Sequence, residues 1–222
     1  MNVLDYISHF FGDGALWHGY DGIPTRLGEH VVYSLEALVL AAVIGLPVGL
    51  VTGHFGRGGN TLALIATGGR ALPTFGLLVL VVTWFGFGTG PAMVPLVVLA
   101  VPPILVTTYE AVRSVDPSPV DAARGMGIHE SRILFRVELP VALPLILSGL
   151  RSAAIQIVST ATIAAYTGLG GLGRYIIDGL SQKNYEKVVG GATLVAGMAL
   201  VTLLFFWAVS RFTVSPGVRR SE

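Results

Sequence analysis

The 222-residue chain is 53% hydrophobic and only 12% charged, with a mean hydropathy of +0.73. Soluble domains average roughly 25% charged residues, so this composition excludes a water-surrounded globule and places the chain in a bilayer. The net charge of +1 says nothing about nucleic acid, no lysine- or arginine-rich run exists, and zero cysteines exclude disulfides, thiol catalysis and thiolate metal sites.

The first residues, MNVLDYISHFFGDG, lack a positive n-region and a small-residue cleavage site, so no cleaved leader is expected there. Residues 1–29 read as an N-terminal interfacial, extracytoplasmic segment. Val3, Leu4, Ile7, Phe10 and Phe11 share one helical face, and Trp17 and Tyr20 suit a headgroup layer. A lid packed on the spans fits the same pattern.

Residues 30–215 read as a transmembrane domain of five apolar segments, 31–53, 62–87, 92–109, 141–166 and 188–210. Each is near the ~20 residues that cross ~30 Å of hydrocarbon. The second contains Gly68-Gly69-Arg70 and Pro73, and the third contains Pro95 and Pro102-Pro103. Such breakers are tolerated where neighbouring membrane helices satisfy the backbone. Residues 216–222 form the expected tail.

Between the third and fourth segments lies a charged, helix-forming island, with a loop predicted over 116–140. Asp116-Pro117 reads as an N-cap followed by Pro at the first helical position, where a missing N–H costs nothing. Ala122, Ala123 and Met126 share a small-residue face, and Gly127 stops the helix with Ile128 beyond it. A second short helix carries Ile133, Leu134 and Val137 as one apolar stripe, with Arg132 and Arg136 off it. Pro140 then suits the first turn of the next span. Two short helices hinged at a glycine make a compact knob that a soluble partner can grip.

The basic residues orient the chain. With that loop in the cytoplasm, Arg57, Arg113, Arg124, Arg132, Arg136, Arg211, Arg219 and Arg220 lie inside, against Arg26, Arg174, Lys183 and Lys187 outside. Basic residues favour the cytoplasmic side, so an outside N-terminus and a cytoplasmic C-terminus are expected.

Gly168, Gly170 and Gly173 satisfy G-x-G-x-x-G in letters only, because an apolar span and not a strand precedes them. A tight turn with close helix backbones is expected instead. Neither Lys183 nor Lys187 follows a glycine, so no phosphate-binding loop is present, and ATP chemistry would need another chain. Glu36 is the one acid inside an otherwise apolar span and is a candidate for the path of a cationic substrate. Gln156, Ser159, Thr160 and Thr162 are further candidates, although Ser and Thr also glue membrane helices together. Arg151 reads as structural. Trp84, Phe85 and Phe87 fit an interfacial aromatic belt better than a cage for quaternary ammonium. No metal-ligand set and no paired acid/base or nucleophile constellation stands out.

One spacing is specific. Asp121-Ala122-Ala123, three residues, Gly127, nine residues, Val137, one residue and Leu139-Pro140 resemble the cytoplasmic coupling loop of permease subunits in ATP-binding-cassette importers. Asp121 and Val137 stand where that family has Glu and Ile. The likeness runs from about His30 to Leu180 and takes in Gly22-Ile23-Pro24 and the 168–173 glycine run. Over that length it is most similar to osmoprotectant permeases, those for glycine betaine, carnitine or choline. The resemblance implies an all-α integral membrane protein of about five spans with the type I importer, methionine-permease-like fold. It implies ATPase coupling through Asp121, Ala122, Ala123, Gly125, Gly127, Ile133, Leu134, Val137, Leu139 and Pro140. It also implies a bacterial inner-membrane location, two ATPase subunits that hold the ATP and magnesium, a second permease subunit, identical or paralogous, and an extracytoplasmic binding protein. The chain itself would be no enzyme and hold no cofactor. Permeases for amino acids such as methionine, or a stand-alone secondary carrier, remain alternatives at this point.

Overall fold

The computed structural model describes residues 2–213, with the Arg70 side chain set aside. Arg219, Arg220 and the 216–222 tail therefore lie outside the described residues. The described chain is helical throughout: α1 (Val3–Gly12), α2 (Ile23–Phe55), α3 (Gly59–Ala71), α4 (Thr74–Phe85), α5 (Thr89–Arg113), α6 (Pro117–Gly125), α7 (Glu130–Ile133), α8 (Leu139–Ala164), α9 (Gly173–Ser181) and α10 (Tyr185–Thr213). Four stretches are long and apolar enough to cross a membrane: Ile23–Phe55, Thr89–Arg113, Glu130–Thr167 and Tyr185–Thr213.

The second expected span is bent where its sequence is interrupted: Gly59–Gly69 and Thr74–Phe85 meet at 87°. Pro73 carries no N–H and disfavours a helical residue before it, and Leu72 is accordingly extended (φ −70°, ψ 123°). The expected count of five holds when this pair is taken as one span.

The centre is α2 against α5 against α8. Ala37, Ala41, Gly45, Gly49 and Gly53 recur every fourth residue along one buried face of α2. A Cβ on Gly49 would lie 2.7 Å from the Thr108 Cβ, and one on Gly53 2.9 Å from the Val112 Cβ. Small residues on such a seam let membrane helices pack backbone to backbone. Leu96, Ala100 and Ile104 of α5 and Ala153, Ile157 and Ala161 of α8 complete this core.

One end of the bundle is a clamp. The N–H of Gly171 donates to Glu29 (2.8 Å), and that of Leu172 to His30 Nδ1 (3.2 Å), so the Nε2–H donates to the Val158 carbonyl (3.1 Å). Arg26 pairs with Glu29 at 2.8 Å and with Asp21. A Cβ on Gly170 would fall 2.3 Å from the Glu29 carboxylate, and Gly171 is left-handed at φ +85°. The glycine run is thus the tight turn expected of it.

Residues 1–29 are not a free preface. Gly22 and Pro24 start α2, which already contains 23–29. Phe10 is buried edge-on against Tyr175 (5.3 Å) and seats over Gly190, whereas Val3 and Leu4 are exposed. Phe10 is therefore lid-like, and Val3 and Leu4 keep the outward face expected of an interfacial helix.

Candidate functional site

At the opposite end, about 36 Å along α2 from His30 to His54 at 1.5 Å per residue, the 116–140 stretch folds into a knob. The Asp116 carboxylate accepts the Ser118 N–H at 2.9 Å and Pro117 opens α6. Gly127 ends it at φ +74°. The Gly127 N–H donates to the Arg124 carbonyl (2.9 Å) and the Ile128 N–H to that of Ala123 (3.1 Å). This pair is a Schellman stop, which needs a left-handed residue at the glycine position. Val120, Ala123 and Ile133 form the knob's own core, with Val115, Ile128 and Val137 packed on it.

Two sequence expectations change. The shared face of Ala122, Ala123 and Met126 is split: Ala123 is 3% exposed while Met126 is 73% exposed and Ala122 also faces out. Adjacent residues sit about 100° apart on a helix, and packing onto Ile133 takes Ala123. Nor is the helix bearing Ile133, Leu134 and Val137 separate. From α7 it runs through a π-helical turn at Leu134–Glu138 straight into α8, so Leu139 and Pro140 continue the helix. Ile133 and Leu134 are buried, Val137 and Leu139 partly so, and Pro140 is exposed.

The outward surface of the knob is Asp121, Ala122, Gly125, Met126 and Phe135, the last 57% exposed. Phe135 was not read from the sequence; its signal was an aromatic residue standing off the Ile133–Leu134–Val137 stripe. Arg124 holds Glu130 through Nε (2.9 Å) and lies 3.4 Å from Asp121. The Glu130 hydrogen bond pushes the Arg124 pKa up despite partial desolvation.

A second group was missed altogether. His54, at the last turn of α2, lies 2.5 Å through Nδ1 from Glu138 and 2.9 Å through Nε2 from Glu130. The first contact is a hydrogen bond; the second is close but not aligned as one.

The path candidates do not come together. Glu36 is exposed in a groove of about 880 Å³ between α2 and α5, beside Val39, Thr89, Met93 and Val97. Gln156 faces α5 and donates to the Leu99 carbonyl (3.2 Å), and Thr160 is buried. Of the other candidates Ser159 is exposed, as is Ser152 one face-repeat before it on α8, and Tyr166 is exposed in the turn just past α8. Trp84, Phe85 and Phe87 are all strongly exposed and make no ring pair with one another.

Comparison with known proteins is consistent with this geometry. Residues 45–220 match the family described as the binding-protein-dependent transport system inner membrane component. The chain is 33% identical to the choline transport system permease protein OpuBB of Bacillus subtilis, over 86% of this chain and 88% of that one. It is 32% identical to the carnitine transport permease protein OpuCB of Listeria monocytogenes, over 89% and 88%. In fold it is similar to a chain of the inward-facing MetNI methionine ABC transporter, with a TM-score of 0.76 and 24% identity over 87% of this chain and 96% of that one. The chain belongs to the inner-membrane permease family of binding-protein-dependent importers.

Proposed function

We propose that this chain forms the translocation path for an osmoprotectant such as glycine betaine, carnitine or choline, driven by separate ATPase subunits. The observation that carries the reading is the knob: a Schellman-stopped helix with a small outward face, covalently continuous with α8. Ala122, Gly125 and Met126 let a partner surface approach closely, and Phe135 supplies an apolar anchor. Two ATPase subunits, holding ATP and magnesium, grip two such knobs. The two permeases, identical or paralogous, enclose the path, and a binding protein delivers substrate from outside. The substrate class is supported by relatives named for choline and carnitine. The basic-residue asymmetry supports a cytoplasmic knob and an outside N-terminus. ATP-driven closure would then alternate access by rigid-body movement of the bundles.

The test compares Gly127→Val and Ala122→Glu with Ala123→Glu. A Cβ in the left-handed region costs roughly 1–2 kcal/mol, confined to a turn outside the spans. Gly127→Val and Ala122→Glu are expected to keep normal membrane abundance and lose ATPase co-purification and uptake. Ala123→Glu buries an unpaired charge in the knob core and is expected to lower abundance as well. Normal uptake in the first two variants would make the knob a passive loop.

A further inference from the structure

His54 and Glu138 are the most deeply buried ionisable pair in the knob region. Their side chains are 3% and 6% exposed. Groups of this kind stay buried only when paired. What makes the pair informative is where its members sit. His54 belongs to the last turn of α2. Glu138 closes the π-helical turn that joins the knob to α8.

Glu130 extends the cluster. One of its oxygens lies 2.9 Å from His54 Nε2, while the carboxylate also holds Arg124 of α6 at 2.9 and 3.2 Å. A carboxylate oxygen lies at each ring nitrogen: Nδ1 is hydrogen-bonded to Glu138, while the Nε2 contact with Glu130 is close but misaligned. Glu130 is shared between a residue of the knob and a residue of a span.

Two routes therefore leave the knob. The first is covalent, through the π-helical turn into α8. The second is this cluster, from α6 through Arg124 and Glu130 to His54 on α2. Beyond His54, the Gly45–Gly49–Gly53 seam binds α2 to α5 without slack. A displacement of the knob that reaches both α8 and α2 moves the three central helices together.

We propose that His54 is a positioning residue for ATPase coupling: through Glu138 and Glu130 it ties the coupling knob to α2, so that knob movement reaches both halves of the bundle. This rests on the ATPase docking at the knob.

The test is the number of substrate molecules imported per ATP hydrolysed. It uses the purified transporter with its ATPase and binding protein in proteoliposomes and radiolabelled choline, glycine betaine and carnitine. The variants are His54→Gln, Glu130→Gln and the double His54→Gln/Glu138→Gln. Residues on a coupling route modulate it by roughly 2- to 30-fold. His54→Gln is expected to lower the ratio about threefold or more within that range, with ATPase still co-purifying. The double variant, which leaves no orphaned buried carboxylate, is expected to restore any lost abundance while the ratio stays low, because the tie is still missing. Glu130→Gln, a half-exposed position, is expected to lower the ratio without loss of abundance. An unchanged ratio in all three, with ATPase in place, overturns the role of His54 and leaves the docking reading standing. Loss of the assembled complex in Glu130→Gln as well as His54→Gln would assign the cluster to folding alone and also overturn it. Absence of any ATPase from the wild-type complex would instead sink the docking reading.

Discussion

The two ends of this bundle are built from similar parts and work differently. Both use a left-handed glycine turn, a histidine on α2 and a set of carboxylates. At the clamp end, Glu29 and His30 bond to backbone N–H groups of the 170–172 turn, and those bonds fix the loop directly to the start of α2. At the knob end, His54 meets other side chains, Glu138 and Glu130, and Arg124 in turn holds Glu130. Side chain to backbone bonds make a rigid cap. Side chain to side chain contacts allow rearrangement without breaking secondary structure. On the proposed reading, one end serves stability and the other transmission.

The largest expected effect is all-or-none and concerns which end faces which compartment. The chain has no cysteine, so single cysteines report cleanly. A cysteine at Ser118 is expected to react only with reagent admitted to the cytoplasm, and one at Lys183 only from outside. External reaction at Ser118 would reverse the assignment and remove the knob from the ATPase.

Next in size is the clamp. His30 is 1% exposed, and its ring satisfies both the Leu172 N–H and the Val158 carbonyl. His30→Ala orphans the buried Leu172 N–H, at about 1–3 kcal/mol, while the Val158 carbonyl keeps the Thr162 hydroxyl. The expected outcome is a lower thermal midpoint and reduced abundance, with the transport per ATP of the surviving molecules unchanged. A normal midpoint with an altered transport ratio would erase the division of labour between the ends.

Much of the knob end was legible in sequence because its signals are local. Asp116-Pro117 caps, Gly127 stops, and the Asp121 to Pro140 spacing is fixed within twenty residues. What escaped depends on residues far apart or on helix phase. His54 and Glu138 are 84 positions apart, and neither carries a mark of its partner. Ala122 and Ala123 look alike in sequence, and only packing against Ile133 decides that one turns inward. The bend at Leu72-Pro73 was signalled by the proline that interrupts the 62–87 segment, but its angle was not. The four-residue recurrence from Ala37 to Gly53 was visible in plain letters; its meaning required the α5 face that fills it.

The smallest expected effect lies between the two ends, at Glu36. It stands six residues, or roughly 9 Å, beyond His30 on α2 at 1.5 Å per residue, and faces an otherwise apolar groove. An intramembrane carboxylate is costly unless it faces protein or water, so the groove is expected to be covered or wet in the assembled transporter. If a cationic headgroup passes there, the attraction is that of a partly solvated ion pair, about 0.2–1 kcal/mol. That corresponds to roughly 1.5- to 5-fold in affinity, since 1.4 kcal/mol is tenfold. Glu36→Gln keeps the shape and removes the charge. We predict that it raises the KM for choline uptake by a factor in that range and leaves assembly and ATPase co-purification intact. A change in maximal rate without a change in KM would point to packing between spans. Unchanged uptake kinetics would mean that Glu36 takes no part in the path.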